Sequence, residues 1–159
     1  MIETELKDGA YRVAFQAVLD APADAVAAVL TDYAGYRGLD PRIRSSEVLS
    51  RTRGGEVVIR TRVRVCAGFF CRNVERVERV TSGPRSLVAE VVPGRSDFIR
   101  GLTQTRWGAV RGRTSVNYTA EFVPDFWVPS IVGSHYAVRE LRESTLQLFA
   151  NVENRARRL

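Results

Sequence analysis

A chain of 159 residues, 45% hydrophobic and 26% charged, is the size of one domain and can bury a core without metals or many crosslinks. No apolar run reaches the roughly 18–20 residues of a membrane-spanning helix, and MIETELKDGAYRV lacks a hydrophobic signal-peptide core, so neither feature is expected. The net charge of +6 rests on arginine, with Lys7 the only lysine among 24 basic residues. These arginines are dispersed, many beside carboxylates, and no aromatics interleave with them as stacking platforms. They read as solvated faces, and nucleic acid is not expected as a partner.

In chain order, Tyr11 to Leu19 predicts a first strand, with Val13, Phe15, Ala17 and Leu19 on one face. Asp20-Ala21-Pro22 ends it. Ala23 to Thr31 predicts a short alanine-rich helix with Pro22 near its first turn. Asp32 to Arg44 contains Gly35, Gly38 and Pro41 and reads as a loop with a short helical turn.

Strands then follow one another. Ser46 to Arg51 leads to a turn at Arg53-Gly54-Gly55. Glu56 to Cys66 alternates clearly, Val57, Ile59, Thr61, Val63 and Val65 opposing Arg60, Arg62 and Arg64. Phe69 to Val80 returns antiparallel, and the three-residue spacing of Val74, Val77 and Val80 suggests a bulge. Glu75 and Glu78 are placed to neutralise the preceding arginines across the ladder. Ser82-Gly83-Pro84 turns into Leu87 to Val92, and Pro93 to Gly101 reads as a polar loop. Leu102 to Val110 and Thr114 to Val123 make the last hairpin, turned by Arg111-Gly112-Arg113.

Two cysteines, Cys66 and Cys71, flank the four residues from Ala67 to Phe70. If these form a hairpin loop, the cysteines face each other at roughly 4.5–5.5 Å between Cα atoms, within reach of a disulfide. So short a loop yields about 2 kcal/mol in the chain-entropy model. The alternative is two reduced thiols near a turn. A disulfide implies an oxidising compartment, periplasmic if a leader has been removed, whereas reduced thiols imply the cytoplasm. No metal site or cofactor is expected, since His135 is the only histidine.

The chain closes on one amphipathic helix, from about Pro129 to Arg155. Ile131, Val138, Leu141, Thr145, Leu148, Val152 and Ala156 recur at three- and four-residue steps along one stripe. One long helix with so much sheet to cover predicts an α+β domain spanning 1–159, its core about 11–156. A curved antiparallel sheet of seven strands would wrap around that helix and enclose a space.

This order, together with three motifs, resembles the helix-grip fold of the START-like (SRPBCC) superfamily. The motifs are Leu19-Asp20-Ala21-Pro22-Ala23-Asp24-Ala25-Val26 at the first strand-to-helix junction and Val29-Leu30-Thr31-Asp32-Tyr33 with Tyr36 at the helix end. The third is Trp107, then Gly112-Arg113-Thr114 and Val116-Asn117-Tyr118, in the final hairpin. The likeness is to the branch of bacterial polyketide cyclase/dehydrase and coenzyme-Q-binding proteins. The cysteine pair and Ser96-Asp97-Phe98 resemble a proteobacterial subgroup whose members often carry export signals. What the resemblance implies is binding of a hydrophobic small molecule between sheet and helix, although the fold itself confers no activity.

Within that frame, Arg106 beside Trp107, with Asp97 and Arg100 in the preceding loop, is the best polar constellation. It reads as a clamp for a ligand carboxylate or phosphate, or as an ion pair tying the loop to the sheet. Tyr33, Tyr118 and Trp107 are candidate cavity-lining aromatics, with plain core packing the alternative. His135 has no nucleophilic partner in sequence and reads as a hydrogen-bonding group at the surface or cavity rim. Phe126, Trp127, Val128, Ile131 and Val132 are expected to close one end of the barrel by burial. Left exposed, Phe126 and Trp127 would make a transient membrane-surface contact.

The leading expectation is non-enzymatic binding or transport of a lipid, quinone or polyketide-like molecule. The alternatives are a cyclase/dehydrase-type enzyme using the same cavity, and a protein- or ribosome-interaction module. Oligomeric state has no signal in the sequence.

Overall fold

The computed structural model describes residues 1–67, 69–128 and 133–159. Its fold is α+β, a curved antiparallel sheet gripping a C-terminal helix, but with eight strands rather than seven. The strand missed in the sequence is β1, Ile2–Lys7, which pairs with β2, Ala10–Leu19, from Lys7 opposite Ala10 out to Ile2 opposite Phe15. Asp8 and Gly9 turn the chain between them with positive φ of 52° and 76°. Two consecutive residues in that region make the tight hairpin turn that an Asp-Gly pair favours. Ile2, Thr4 and Leu6 give β1 a half-buried face, alternating with exposed Glu3, Glu5 and Lys7.

After β2 comes α1, Ala23–Thr31, as expected. Pro22 caps it, its carbonyl accepting from the Val26 amide at 3.0 Å, and Val26, Val29 and Leu30 are buried. The loop expected to hold a helical turn is a 3-10 helix over Tyr33–Gly38, where the Tyr36 hydroxyl donates to the Leu30 carbonyl at 2.6 Å. The remaining strands are β3 (Ile43–Arg51), β4 (Val57–Ala67), β5 (Phe70–Gly83), β6 (Ser86–Val91), β7 (Phe98–Val110) and β8 (Arg113–Pro124). Their order across the sheet is β1-β2-β8-β7-β6-β5-β4-β3.

The bulge suggested in β5 is not there. The strand pairs with β4 from Phe70 to Val80 without a register shift. Val74 and Val80 face inward while Val77 faces the other way and is still buried. Beside it runs the segment from Val92 to Ser96, which hydrogen-bonds to both the amide and the carbonyl of Val77. Register shifts occur instead in β7, which starts earlier than expected, between Phe98 and Arg100, and in β3 between Ile43 and Ser45 and between Val48 and Ser50.

The terminal helix, α2, spans Gly133–Ala156, so positions 129–132, Ile131 and Val132 among them, lie outside the described residues. None of the described helices is long and apolar enough to cross a membrane. The C-terminal half of α2 is packed tightly. Thr145, Phe149, Val152 and Ala156 are buried, and the Phe149 ring stacks on Phe15 at 4.6 Å and meets Tyr118 edge-on at 5.2 Å. Glu153 accepts from the Asp20 amide at 2.7 Å, and Arg155 donates to the Gly35 carbonyl at 2.9 Å, which pins this half to the α1 region. Core residues from α1, β2, β4, β8 and α2 fill this end of the molecule. The other end is hollow.

Candidate ligand cavity

Between the N-terminal half of α2 and the sheet lies a cavity of about 320 Å³. That size is at the lower end of what holds a small organic ligand. Its walls are largely apolar: Val63 and Val65 of β4, Phe122 of β8, and Leu141 and Leu148 of α2, with Phe98 and Phe126 closing one side. Room for the Phe122 ring comes from Gly101, its partner across the ladder, because a side chain there would stand 2.6 Å from that ring. A second and larger concavity, about 810 Å³, lies on the outer sheet face over β1, β2, β8 and β7. It is open and crossed by the network Glu5–Arg12–Glu121–Arg100. Hydrogen bonds from Arg12 hold the Glu121 carboxyl below its usual range. The inner cavity, although it too opens at its mouth, offers an apolar ligand what the outer one lacks, a largely aliphatic and aromatic lining.

Polar groups enter the inner cavity at two places. At one, Arg42 at the head of β3 forks onto Asp40, Nε to Oδ1 at 2.8 Å and Nη2 to Oδ2 at 2.7 Å. Its Nη1 donates to Glu140 at 2.9 Å and to Ser144, both on α2. This clasp joins the sheet edge to the helix across the gap, which keeps α2 in place where no core lies beneath it.

At the other, Arg76 projects inward from β5 opposite Thr61 of β4. Its guanidinium carbon sits 5.1 Å from the centre of the Phe122 ring, and its Nε stands 2.8 Å from Glu78 Oε1. The approach to Glu78 is too poorly aligned for a hydrogen bond, so Nε is buried without a partner, as is the Thr61 hydroxyl. Glu78 is only 3% exposed. Burial pushes the Tyr118 hydroxyl up to about 12, so Tyr118 enters the cavity as a protonated donor. Burial raises Tyr36 as well.

Of the seven ligand contacts expected from sequence, only Tyr118 lines this cavity. The Arg106 clamp does not form. Inward positions on β7 are the odd ones, Thr103, Thr105 and Trp107, so Arg106 projects from the outer face and is exposed. Arg100 is also exposed and pairs with Glu121 at 3.4 Å on that outer face. Asp97 is a tie between chain segments. Its Oδ2 accepts from the Glu75 amide at 2.7 Å, its own amide donates to the Glu75 carbonyl at 2.8 Å, and its carbonyl accepts from the Asp125 amide at 2.9 Å.

Trp107 and Tyr33 belong to the packed core, the Tyr33 hydroxyl lying 3.1 Å from Ser82 Oγ. His135 is exposed on α2 outside the cavity wall. The apolar cap expected from Phe126 and Trp127 is only half formed: Phe126 is half-buried, but Trp127 is 68% exposed.

At the cavity mouth Cys66 and Cys71 are joined as a disulfide, their Cα atoms 4.1 Å apart across β4 and β5. The cysteines oppose each other across a hairpin as expected, but the ladder runs one pair further, Ala67 opposite Phe70, so the loop is shorter than the four residues expected and the Cα separation lies below the expected range. Arg76 and Arg72 were missed as cavity residues because the period of their strand was blurred, and Arg42 because it lies in a segment read as a loop. The available signal was Thr61, a polar break in the apolar stripe Val57–Val65, which marks the inward face that Arg76 shares.

A START superfamily protein from Mycobacterium smegmatis superposes with a TM-score of 0.73 at 15% identity, over 92% of this chain and 97% of that one. The STAR-related lipid transfer protein from Xanthomonas axonopodis gives 0.72 at 19% identity, over 98% of each chain. The Zhui aromatase/cyclase from Streptomyces sp. R1128 gives 0.66 at 19% identity, over 92% of this chain and 91% of that one. Among curated proteins, none matches the sequence significantly. The family profile for polyketide cyclase / dehydrase and lipid transport matches residues 11–153, nearly the whole chain. The protein therefore belongs to the polyketide cyclase / dehydrase and lipid transport family.

Proposed function

We propose that the protein binds and carries a hydrophobic small molecule with an oxygen-bearing head, a carboxylate or carbonyl, in the cavity between sheet and α2. The observation that carries this reading is Arg76, whose buried Nε faces Glu78 at 2.8 Å without a hydrogen bond and which lines a mostly apolar cavity. An unmet buried donor costs about 1–3 kcal/mol, so a ligand that supplies the acceptor regains it on binding. The apolar wall gives affinity by desolvation, and Arg76 with the Tyr118 hydroxyl gives orientation.

The test is native mass spectrometry and calorimetry with a fatty acid, the matching alcohol and the matching alkane. One-to-one complexes are expected, with the acid bound tightest and the alkane weakest. Ala137→Trp, which places an indole in the lumen from α2, should weaken all three at least about tenfold without lowering Tm. Absence of any complex, or an unaltered Ala137→Trp variant, would contradict the reading.

A second reading, an enzyme of the cyclase or dehydrase kind, draws on the charge of Arg76 acting at the Tyr118 hydroxyl. Two such donors polarise a ligand carbonyl. A polyketide-like ligand recovered with a changed mass would favour the enzyme. Recovery of the same ligand intact would favour the carrier.

A further inference from the structure

The mouth of the cavity carries aromatic rings that the described residues leave exposed. Phe69, at the tip of the β4–β5 hairpin, is 100% exposed. Trp127 is largely exposed and meets Phe70 edge-on at 6.2 Å, and Val65 beside them is more than a third exposed. Single apolar residues on a surface are ordinary, but three aromatics gathered on one rim are not. Val65, Phe70 and Trp127 also line the cavity, so the rim and the opening are one feature.

Charge accompanies the rings. Arg44, Arg64 and Arg72 lie on the ends of β3, β4 and β5 at this rim, and none has a carboxylate within 4.0 Å among the described residues. Further along the same strands the pattern differs, Arg60 pairing with Glu47 and Arg62 with Glu75. Arg72 packs its guanidinium over Phe126 at 4.9 Å. Asp125 is the acidic residue nearest in sequence to Trp127, and it donates its amide to the Asp97 carbonyl.

The disulfide fits the same picture. It joins residues already opposed in the ladder, with a separation of 5 in sequence, so its contribution to global stability is near the low end for a disulfide, about 2 kcal/mol. Its effect is local: it holds the tip bearing Phe69 and Phe70 as a fixed projection. Exposed aromatics ringed by arginines are the chemistry of insertion at a negatively charged lipid–water interface. A second protein would need a broader face, about 800 Å² on each partner, than a hairpin tip and one tryptophan supply.

We infer that the cavity mouth docks on an anionic phospholipid bilayer, with Phe69, Phe70 and Trp127 entering the headgroup layer. The inference deepens the carrier reading by naming the surface with which ligand is exchanged, and rests on that reading for its purpose but not for its geometry.

Co-sedimentation with vesicles of phosphatidylcholine alone, and of phosphatidylcholine mixed with phosphatidylglycerol, tests it. The mixed vesicles should bind the protein, and added salt should release it. Trp127 emission should shift blue and be quenched by brominated lipid, while buried Trp107 should stay unaffected. Phe69→Ser and Trp127→Ser should each lower vesicle affinity at least about tenfold, with Tm unchanged because both side chains are exposed. No binding to the mixed vesicles overturns the inference. So does binding that ignores phosphatidylglycerol, or binding that survives Phe69→Ser. A dimer in solution that Phe69→Ser dissolves overturns it too, because the rim is then covered by a second copy. Uptake of fatty acid by the unaltered protein in vesicle-free solution separates the two claims: uptake without any vesicle binding rejects the docking alone, and vesicle binding without any uptake rejects the carrier.

Discussion

Arg76→Ala is expected to destabilise the protein by about 3–5 kcal/mol, the usual loss when one member of a buried ion pair is removed. Glu78 is the reason. It is almost wholly enclosed, and Arg76 is its cation. Urea denaturation should show the midpoint falling with little change in slope. The double variant Arg76→Met, Glu78→Leu replaces both charges by apolar groups of similar reach, and should recover most of that stability. Its ligand binding should nevertheless remain altered. With the donor gone, the fatty acid should lose its advantage over the alcohol, while the alkane binds as well as before or better. A double variant that regains stability and still prefers the acid would show that the head is read elsewhere.

Phe149→Ala is expected to cost about 3–5 kcal/mol, because the ring is fully enclosed and its neighbours are held in place. It stacks on Phe15 from β2 and abuts Tyr118, so it forms the wall between the packed end and the hollow end of the molecule. Removing it joins new space to the existing lumen. A small apolar compound such as benzene should then return part of the lost Tm, as ligands do in engineered apolar cavities. Calorimetry with and without benzene measures both effects. A loss under about 1 kcal/mol, within the range of ordinary surface changes, would mean that α2 closes onto β2 without this ring and that the wall is misplaced.

Much of the fold was legible in the sequence because period and punctuation agreed there. The β4 stripe from Val57 to Val65, the β7–β8 turn at Arg111-Gly112-Arg113 and the α2 stripe from Val138 to Ala156 each appear as expected. β1 escaped because six residues alternating with Glu3, Glu5 and Lys7 read as a polar terminus, although Asp8-Gly9 was a hairpin signal.

The site was less legible for a different reason. Alternation says which residues share a face, but it does not say which face of a curved sheet is inside. Arg106 was given the inward face that belongs to its neighbour Trp107. Arg76 was given no face, because Val74, Val77 and Val80 blurred the period of β5. Val77 is buried by a loop that pairs with β5, a tertiary event no local pattern records. Asp97 carried a real signal, a polar residue tied into the sheet, but its partners are the Glu75 backbone rather than an arginine.

The most direct measurement is the position of a bound ligand, read by nuclear Overhauser contacts between a carbon-13-labelled fatty acid and the methyl groups of the protein. Contacts from the acyl chain to Val63, Leu141 and Leu148 are predicted, with the carboxylate end nearest Arg76. Contacts to Leu102, Ala14 or Thr119 around the outer groove instead, or none to the Leu148 methyls, would contradict the account.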